Sequence, residues 1–171
     1  MRLRHPFAPY GDSRSSCLIL GTFPSVRSRE SGFYYGHPRN RFWKVLAFLA
    51  KTSSIPQTQE EKRHFLQCYR IALWDVVQEC DLQKSQDSTI TNPIPVDLSQ
   101  ILQKAPITHI FTNGAKAHQL FRRFFSDFSD KENALPSTSP ANARYNLTSL
   151  QKSWATALEV TGCDVFKRHC S

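Results

Sequence analysis

Short, unbroken apolar runs alternate along this chain with longer segments in which apolar residues recur at helical spacing. Runs at 17–20, 69–75 and 107–112 predict buried strands, and a shorter run at 134–135 predicts a fourth. The segments between and after these runs have the period of amphipathic helices. The predicted helices span 42–50, 59–69, 98–104, 115–125 and 147–159.

The other segments lack a clear period, and we predict loops or turns there. Residues 1–16 are predicted as a polar lead-in loop, 92–95 as a proline-containing loop and 126–133 as a charged loop. Residues 76–87 are of mixed character and compatible with a helical turn. Residues 161–171 have no period either and are predicted to form a loosely ordered C-terminal tail.

Alternation of strands and helices predicts an α/β fold, a three-layer α/β/α sandwich around a mostly parallel, four-stranded sheet. We expect a single domain of residues 1–160, because no repeat or internal boundary interrupts it. Ligands of such sheets bind at the carboxyl ends of the strands. Here those ends carry Gly21-Thr22-Phe23-Pro24, Asp75, Asn113-Gly114 and Pro136-Ser137-Thr138-Ser139, which we expect to converge on one edge.

The densest concentration of chemically useful side chains lies between the first strand and the first long helix, in GFYYGHPRNRFW at 32–43. Aromatic side chains stack on flat rings and arginines bind phosphate, so the segment suits a pocket for a nucleic-acid base. A packed aromatic corner would contain many of the same residues. The pattern alone leaves both interpretations open.

Composition narrows the class of protein. The formal net charge of +8 is consistent either with a generally basic protein or with a polyanionic partner. The basic residues within and beside 32–43 favour nucleic acid, namely Arg27, Arg29, Arg39, Arg41 and Lys44. The five cysteines are widely spaced, which indicates neither a disulfide framework nor a zinc site. The start of the chain lacks the apolar core of a signal peptide, and no apolar run could span a membrane. We therefore expect a cytoplasmic protein with reduced thiols, without metal or cofactor.

The segment GTFPS at 21–25, followed by GF-x-Y-x-HP-x-NRFWKV at 32–45, resembles the first motif of the uracil-DNA glycosylase superfamily. The turn Pro136-Ser137-Thr138-Ser139 resembles the second motif, and Asn113-Gly114 resembles the turn after the third strand. The resemblance covers about residues 15 to 158. It implies an enzyme that extrudes a damaged base from DNA and hydrolyses its bond to deoxyribose.

Two positions depart from the pattern of the superfamily. Phe23 stands where most members have a polar residue that positions water, and Leu135 stands where many have a histidine that stabilises the departing base. The sequence around both positions is similar to the hypoxanthine-DNA glycosylase branch. That similarity implies excision of hypoxanthine from deoxyinosine, with Asn40 of the HPxN segment as the catalytic residue. No lysine stands at a motif position suited to Schiff-base attack, so we expect no strand cleavage.

The resemblance also implies individual roles. Asn40 would orient the hydrolytic water through its amide oxygen, although asparagine here also suits a helix cap. Tyr35 would stack on the base. Asp75 would accept the N1 proton of hypoxanthine or only cap a turn, and His37 would stabilise the anionic base or only hold its loop. The other predicted site residues would line the base pocket (Gly21, Thr22 and Phe23) or contact DNA (Ser25, Arg39, Arg41, Pro136, Ser137, Thr138, Ser139, Pro140 and Asn142).

Two alternative functions stay open at this point. A uracil or G:U/T mismatch glycosylase would have the same fold. A catalytically inactive DNA-binding module would explain the loss of the usual water-positioning residue. A nucleotide-binding Rossmann-like domain is disfavoured, because no glycine-rich phosphate-binding motif follows any strand. In each open case we expect a monomer whose partner is single- or double-stranded DNA and not a membrane.

Overall fold

The chain forms seven β-strands and six α-helices over the residues that a computed structural model describes, namely 1–83, 89–168 and 170. Short 3-10 helices follow the fifth and sixth α-helices, at Ser126–Lys131 and Val165–Lys167. The strands are β1 (Arg2–Arg4), β2 (Cys17–Gly21), β3 (Ile71–Asp75), β4 (Val77–Leu82), β5 (Ile90–Pro95), β6 (His109–Asn113) and β7 (Glu132–Leu135). The helices are α1 (Val26–Ser31), α2 (Phe42–Leu49), α3 (Gln59–Cys68), α4 (Ser99–Leu102), α5 (Ala115–Phe124) and α6 (Leu147–Thr161).

A four-stranded parallel sheet in the order β3-β2-β6-β7 forms the centre of the protein and is flanked by helices. This arrangement confirms the predicted α/β/α sandwich. All five residues of β2 are buried, which explains its unbroken apolar run, since a central parallel strand is covered on both faces. In this sheet, β3 lies on one side of β2 and β6 lies on the other. This reversal of strand order creates the crevice in which α/β proteins bind ligands.

A second sheet, which the sequence did not predict, combines β1, β4 and β5 in the antiparallel order β1-β4-β5. The predictions of loops at 1–16 and 92–95 and of a helical turn within 76–87 were therefore wrong, and the last four residues of that segment lie outside the described part. Prolines fit a strand at the edge of a sheet, which explains why β5 has the composition of a loop. On β1 and β4, Arg2 and Arg4 lie 3.6–3.7 Å from Glu79, so charge pairs replace an apolar pattern there.

The segments before and after α6 also differ from the prediction. The charged loop at 126–133 contains a 3-10 helix, and β7 begins at Glu132, which pairs with Ile110 of β6 and is buried. After α6, Gly162 adopts a left-handed conformation, and Cys163 and Val165 are buried. The prediction of a loose tail extends to residues 169 and 171, which lie outside the described part.

One disulfide joins α3 to the C-terminal segment, between Cys68 and Cys170. The expectation of reduced thiols throughout was therefore wrong for this pair. The wide spacing concealed it because 102 residues separate the two cysteines. The free cysteines among the described residues, Cys17, Cys80 and Cys163, are buried. In the described ranges, no helix has the length and apolar character needed to cross a membrane.

Candidate active site

The candidate site lies at the carboxyl edge of the parallel sheet, where β2 and β3 end side by side. Gly21 is paired in register with Asp75, and the next amides continue the contact, from Val76 N to the Gly21 carbonyl oxygen at 2.9 Å. A Cβ atom added at Gly21 would collide with Oδ1 of Asp75 and lie 3.2 Å from the Tyr35 hydroxyl oxygen. Glycine at position 21 thus allows a carboxylate and a phenol to approach the end of β2.

The turn that follows β2 is attached to the aromatic segment by two serines. Ser25 begins α1, and its Oγ accepts a hydrogen bond from the Ser28 amide at 3.1 Å. Ser28 is buried, and its own Oγ accepts from the Gly36 amide at 3.0 Å. The Ser25 hydroxyl, predicted to contact DNA, therefore serves as a helix cap in this structure.

The two adjacent tyrosines of the aromatic segment have different environments. Tyr34 is only 4% exposed and donates from its hydroxyl to the Ala8 carbonyl at 2.9 Å, so it belongs to the core. Burial, and next the negative charge of Asp75, raise the pKa of Tyr34 far above its ordinary value. Tyr35 is half-buried, and one face of its ring is stacked on Phe42 with 3.8 Å between ring centroids. The stack on Phe42 gives Tyr35 a rigid backing, as a platform for a base requires.

Tyr35 also has an unusual backbone conformation, with a φ angle of 54°. The left-handed region is unfavourable for a bulky side chain, and such conformations are concentrated at functional sites. The neighbouring Gly36 has little space, because an added Cβ would collide with the Ser31 hydroxyl. Together these positions turn the chain sharply, so that consecutive tyrosine rings enter different environments.

Asn40 is held by two hydrogen bonds to its amide oxygen. Oδ1 accepts from the Phe42 amide at 2.9 Å and from the Thr138 hydroxyl at 2.8 Å. The Phe42 N–H can only donate, so the atom facing it must be the oxygen, and the orientation of the amide follows. Among the described residues, Asn40 Nδ2 has no hydrogen-bond partner. The prediction that the oxygen receives the water therefore needs correction, because both of its lone pairs are already engaged.

Thr138 connects Asn40 to the end of β6. Its hydroxyl accepts from Asn113 Nδ2 at 3.0 Å, and its backbone amide donates to Asn113 Oδ1 at 3.0 Å. Thr138 is 0% exposed and Asn113 is 8% exposed. The predicted contact between Thr138 and phosphate does not fit this burial. Thr138 instead belongs to a buried polar network that orients Asn40.

Arg41 braces the loop that contains Thr138. Its guanidinium donates to the carbonyl oxygens of Thr138 at 3.4 Å, Ser139 at 2.7 Å and Asn142 at 3.1 Å, and also to that of Tyr145. Its backbone amide donates to the Thr138 carbonyl at 3.1 Å. A guanidinium has five N–H donors, so these contacts leave little capacity for the predicted phosphate contact.

The same loop is stabilised by hydrogen bonds within it and by one from α6. Ser137 Oγ accepts from the Ser139 amide at 3.1 Å, and Asn142 Nδ2 donates to the Ser137 carbonyl at 3.0 Å. The indole of Trp154 on α6 donates to the Pro136 carbonyl at 2.9 Å. Pro140 is exposed at the tip. Of these two predicted DNA contacts, Pro140 has the accessible position and Asn142 is engaged in the loop.

His37 and Arg39 lie on the turn before Asn40. His37 Nδ1 accepts from the Arg39 amide at 3.0 Å, so the ring proton of the neutral imidazole lies on Nε2. The His37 carbonyl accepts from the Asn40 amide at 2.9 Å. His37 therefore has the predicted loop-holding contact, and Nε2 remains a donor for a ligand. Arg39 is exposed, as a phosphate contact would require.

The lead-in segment contributes a residue that sequence reasoning missed. His5 Nε2 lies 2.7 Å from Asp75 Oδ2, and the side chains are 0% and 6% exposed. Phe23 packs edge-on against the His5 ring, with centroids 5.8 Å apart, and is 6% exposed. Phe23 thus lines the rear of the site. A histidine beside a short charged strand gave no indication of this contact, because its partner lies 70 residues away.

The predicted site residues of β2, the aromatic segment and the Pro-Ser loop therefore surround one edge of the sheet, as expected. The shallow depressions along α6 and at the amino end of β6 contain none of them.

Comparisons with known proteins agree with this geometry. A family model described as the uracil DNA glycosylase superfamily matches residues 8–159. A hypoxanthine DNA glycosylase of Methanosarcina acetivorans is 31% identical over 145 residues, which are 84% of this chain and 91% of that protein. A hypoxanthine DNA glycosylase of Methanosarcina barkeri is 28% identical over 154 residues, which are 90% and 96% of the two chains.

A solved structure is similar as well. The solution NMR structure of a Methanosarcina acetivorans protein, provisionally described as a uracil DNA glycosylase, superposes with a TM-score of 0.78 at 29% identity. The superposition covers 95% of this chain and 99% of the other. The match of the family model over most of the sequence, together with the shared fold, shows that this chain belongs to the uracil DNA glycosylase superfamily.

Proposed function

We propose that the protein is a monofunctional DNA glycosylase that excises hypoxanthine from deoxyinosine and leaves an abasic site. The observation that carries the proposal is the fixed amide of Asn40, whose oxygen is held by Phe42 and Thr138 while its nitrogen has no partner among the described residues. The names of the two Methanosarcina relatives support hypoxanthine as the base. The net charge of +8 supports DNA as the partner.

The flipped base would stack on the face of Tyr35 opposite Phe42, with its edge directed to the ends of β2 and β3. Stacking on an aromatic side chain contributes about 1–3 kcal/mol per base, and the Phe42 backing keeps Tyr35 in position for it. Hypoxanthine pairs poorly with the thymine that stood opposite the original adenine. Extrusion therefore costs less than for a paired base, where it requires a few kcal/mol.

Hydrolysis breaks the bond between N9 of the base and the anomeric carbon. The bonding electrons leave with the base, which takes a proton from solvent, while a water oxygen bonds to the anomeric carbon and loses a proton to solvent. Asn40 Nδ2 would donate to that water and engage one of its lone pairs, so that the other faces the sugar. His37 Nε2–H would donate to the departing base.

The test is excision from oligonucleotides that contain one hypoxanthine, uracil or xanthine, measured under single-turnover conditions. Wild type should release hypoxanthine fastest, and Asn40→Ala should abolish release while the protein stays folded. Asn146→Ala is the matched control. It deletes the same amide at the cap of α6, where Oδ1 accepts from the Ser149 amide at 2.8 Å, and among the described residues no hydrogen bond links it to Asn40, Thr138 or Asn113.

Three other outcomes would contradict parts of the proposal. Preference for uracil would favour the mismatch glycosylase alternative, which the provisional description of the NMR structure supports. Absence of abasic sites with every base would leave a DNA-binding module. Wild-type rates in Asn40→Ala would remove Asn40 from the mechanism.

A further inference from the structure

A backbone amide determines which partner donates in the hydrogen bond between His5 and Asp75. His5 Nδ1 accepts a hydrogen bond from the Phe7 amide at 3.0 Å, and an amide N–H can only donate. Nδ1 is therefore unprotonated, and the imidazole proton lies on Nε2. At 2.7 Å from Asp75 Oδ2, that Nε2–H donates to the carboxylate.

His5 cannot easily turn away from this contact. Its ring lies edge-on to Phe7 and Phe23, with centroid distances of 5.6 Å and 5.8 Å, and close to Tyr34 at 6.2 Å. Among the described residues, Asp75 is the hydrogen-bond partner of His5 Nε2. With Oδ2 held from behind, Oδ1 of Asp75 is directed to Gly21 and the side of the sheet edge on which Tyr35 lies.

We infer that His5 is a positioning residue for base selection, which holds Asp75 so that a hydrogen-bond acceptor faces the base. This inference rests on the proposed function. Hypoxanthine has a proton on N1 and can donate it to Oδ1. Adenine has a lone pair at N1, which a carboxylate repels. The protein would thereby discriminate the deaminated base from its parent. The family model does not include His5, because its match begins at residue 8.

The substitution Asp75→Asn tests this direction of donation without any change to His5. Because Nε2–H of His5 needs an acceptor, the new amide should turn its oxygen to His5 and its NH₂ towards the base. The site would then present a donor to N1. We expect the ratio of hypoxanthine to adenine excision, measured on single-stranded oligonucleotides, to fall about ten- to hundredfold.

The double variant His5→Phe with Asp75→Asn separates positioning from simple structural support. Phenylalanine keeps a ring among these aromatic side chains but removes the donor, so the amide can turn its oxygen back to the base. We expect hypoxanthine excision to recover in part relative to Asp75→Asn. A further loss in the double variant would overturn the inference, because a merely structural histidine would add its own damage.

Two further results keep the inference apart from the proposed function. Wild-type protein that excises hypoxanthine, together with an Asp75→Asn variant of unchanged base ratio, would overturn the role of His5 alone. Wild-type protein that excises no base would overturn both.

The ¹⁵N NMR spectrum of the wild-type imidazoles should show His5 as the neutral Nε2–H form, and a proton on Nδ1 would contradict the inference even if the variants failed to fold.

Discussion

Removal of the Thr138 hydroxyl should release the side-chain amide of Asn40 from its fixed orientation. Thr138→Val keeps the shape of the side chain but deletes the donor to Asn40 Oδ1 and the acceptor for Asn113 Nδ2. A lost neutral hydrogen bond costs about 0.5–1.5 kcal/mol, and a buried donor without a partner costs about 1–3 kcal/mol. Because both groups belong to one network, we expect a combined loss of about 2 kcal/mol in the free energy of unfolding.

For a chain of this length, each kcal/mol lowers the melting temperature by about 2–4 °C, so Thr138→Val should melt about 4–8 °C below wild type. Catalysis should suffer more than stability. An amide held only by the Phe42 N–H can rotate, and misplacement of a positioning group by about 1 Å costs on the order of a hundredfold in rate. The single-turnover rate should fall by that factor at a temperature where both proteins are fully folded.

The controls for this prediction lie in the same chain. Thr138→Ser keeps the hydroxyl and should retain most of the activity. Val165→Ala removes apolar contacts at a residue that is 2% exposed and belongs to no site segment, so it should lower the melting temperature and leave the rate unchanged. A Thr138→Val protein with the rate of wild type would refute the view that this network orients Asn40.

Three further predictions concern other parts of the site and its support. Gly21→Ala should abolish excision without unfolding the protein, since the new methyl group would displace the Asp75 carboxylate; normal rates would contradict that geometry. Arg41→Lys should accelerate hydrogen exchange in 136–145 and lower the rate, because an ammonium cannot serve several carbonyls in a plane. Hydrogen bonds from the Gln57 and Thr58 amides lower the pKa of Glu61 below its ordinary value, so this carboxylate stabilises the start of α3 at neutral pH. Glu61→Gln should melt at a lower temperature at pH 7, and calorimetry should show the difference vanish as the pH falls through that lowered pKa.

The parallel sheet and its edge were predictable because each feature had a local cause. Apolar runs predicted β2, β3 and β6, and the helix predicted at 59–69 begins with a local capping box of Thr58 and Glu61. The aromatic segment was identified by its residue types. Its division into a core Tyr34 and a half-exposed Tyr35 depends on one backbone angle that residue type does not reveal.

The missed features all depend on contacts between distant segments. The sheet of β1, β4 and β5 has no apolar alternation of its own and forms through pairing and charge. Arginine at position 41 suggested a phosphate contact from its residue type. Only the folded loop shows that backbone carbonyls accept its hydrogen bonds instead. The same applies to His5, whose role exists only once β3 brings Asp75 beside it.

The long reach of these contacts has a consequence for how activity arises during synthesis. Arg41 bonds to carbonyls 97 to 104 positions later in the chain, with separations of 97 at Thr138 and 104 at Tyr145. Contacts of such high sequence separation form late, because other contacts must first offset the entropy that closing the long intervening loop costs. A ribosome-bound fragment that ends before the Pro-Ser loop would therefore contain every aromatic residue of the pocket and still lack an ordered Asn40. Competence for base removal should emerge abruptly, once the residues from Pro136 onward have been synthesised.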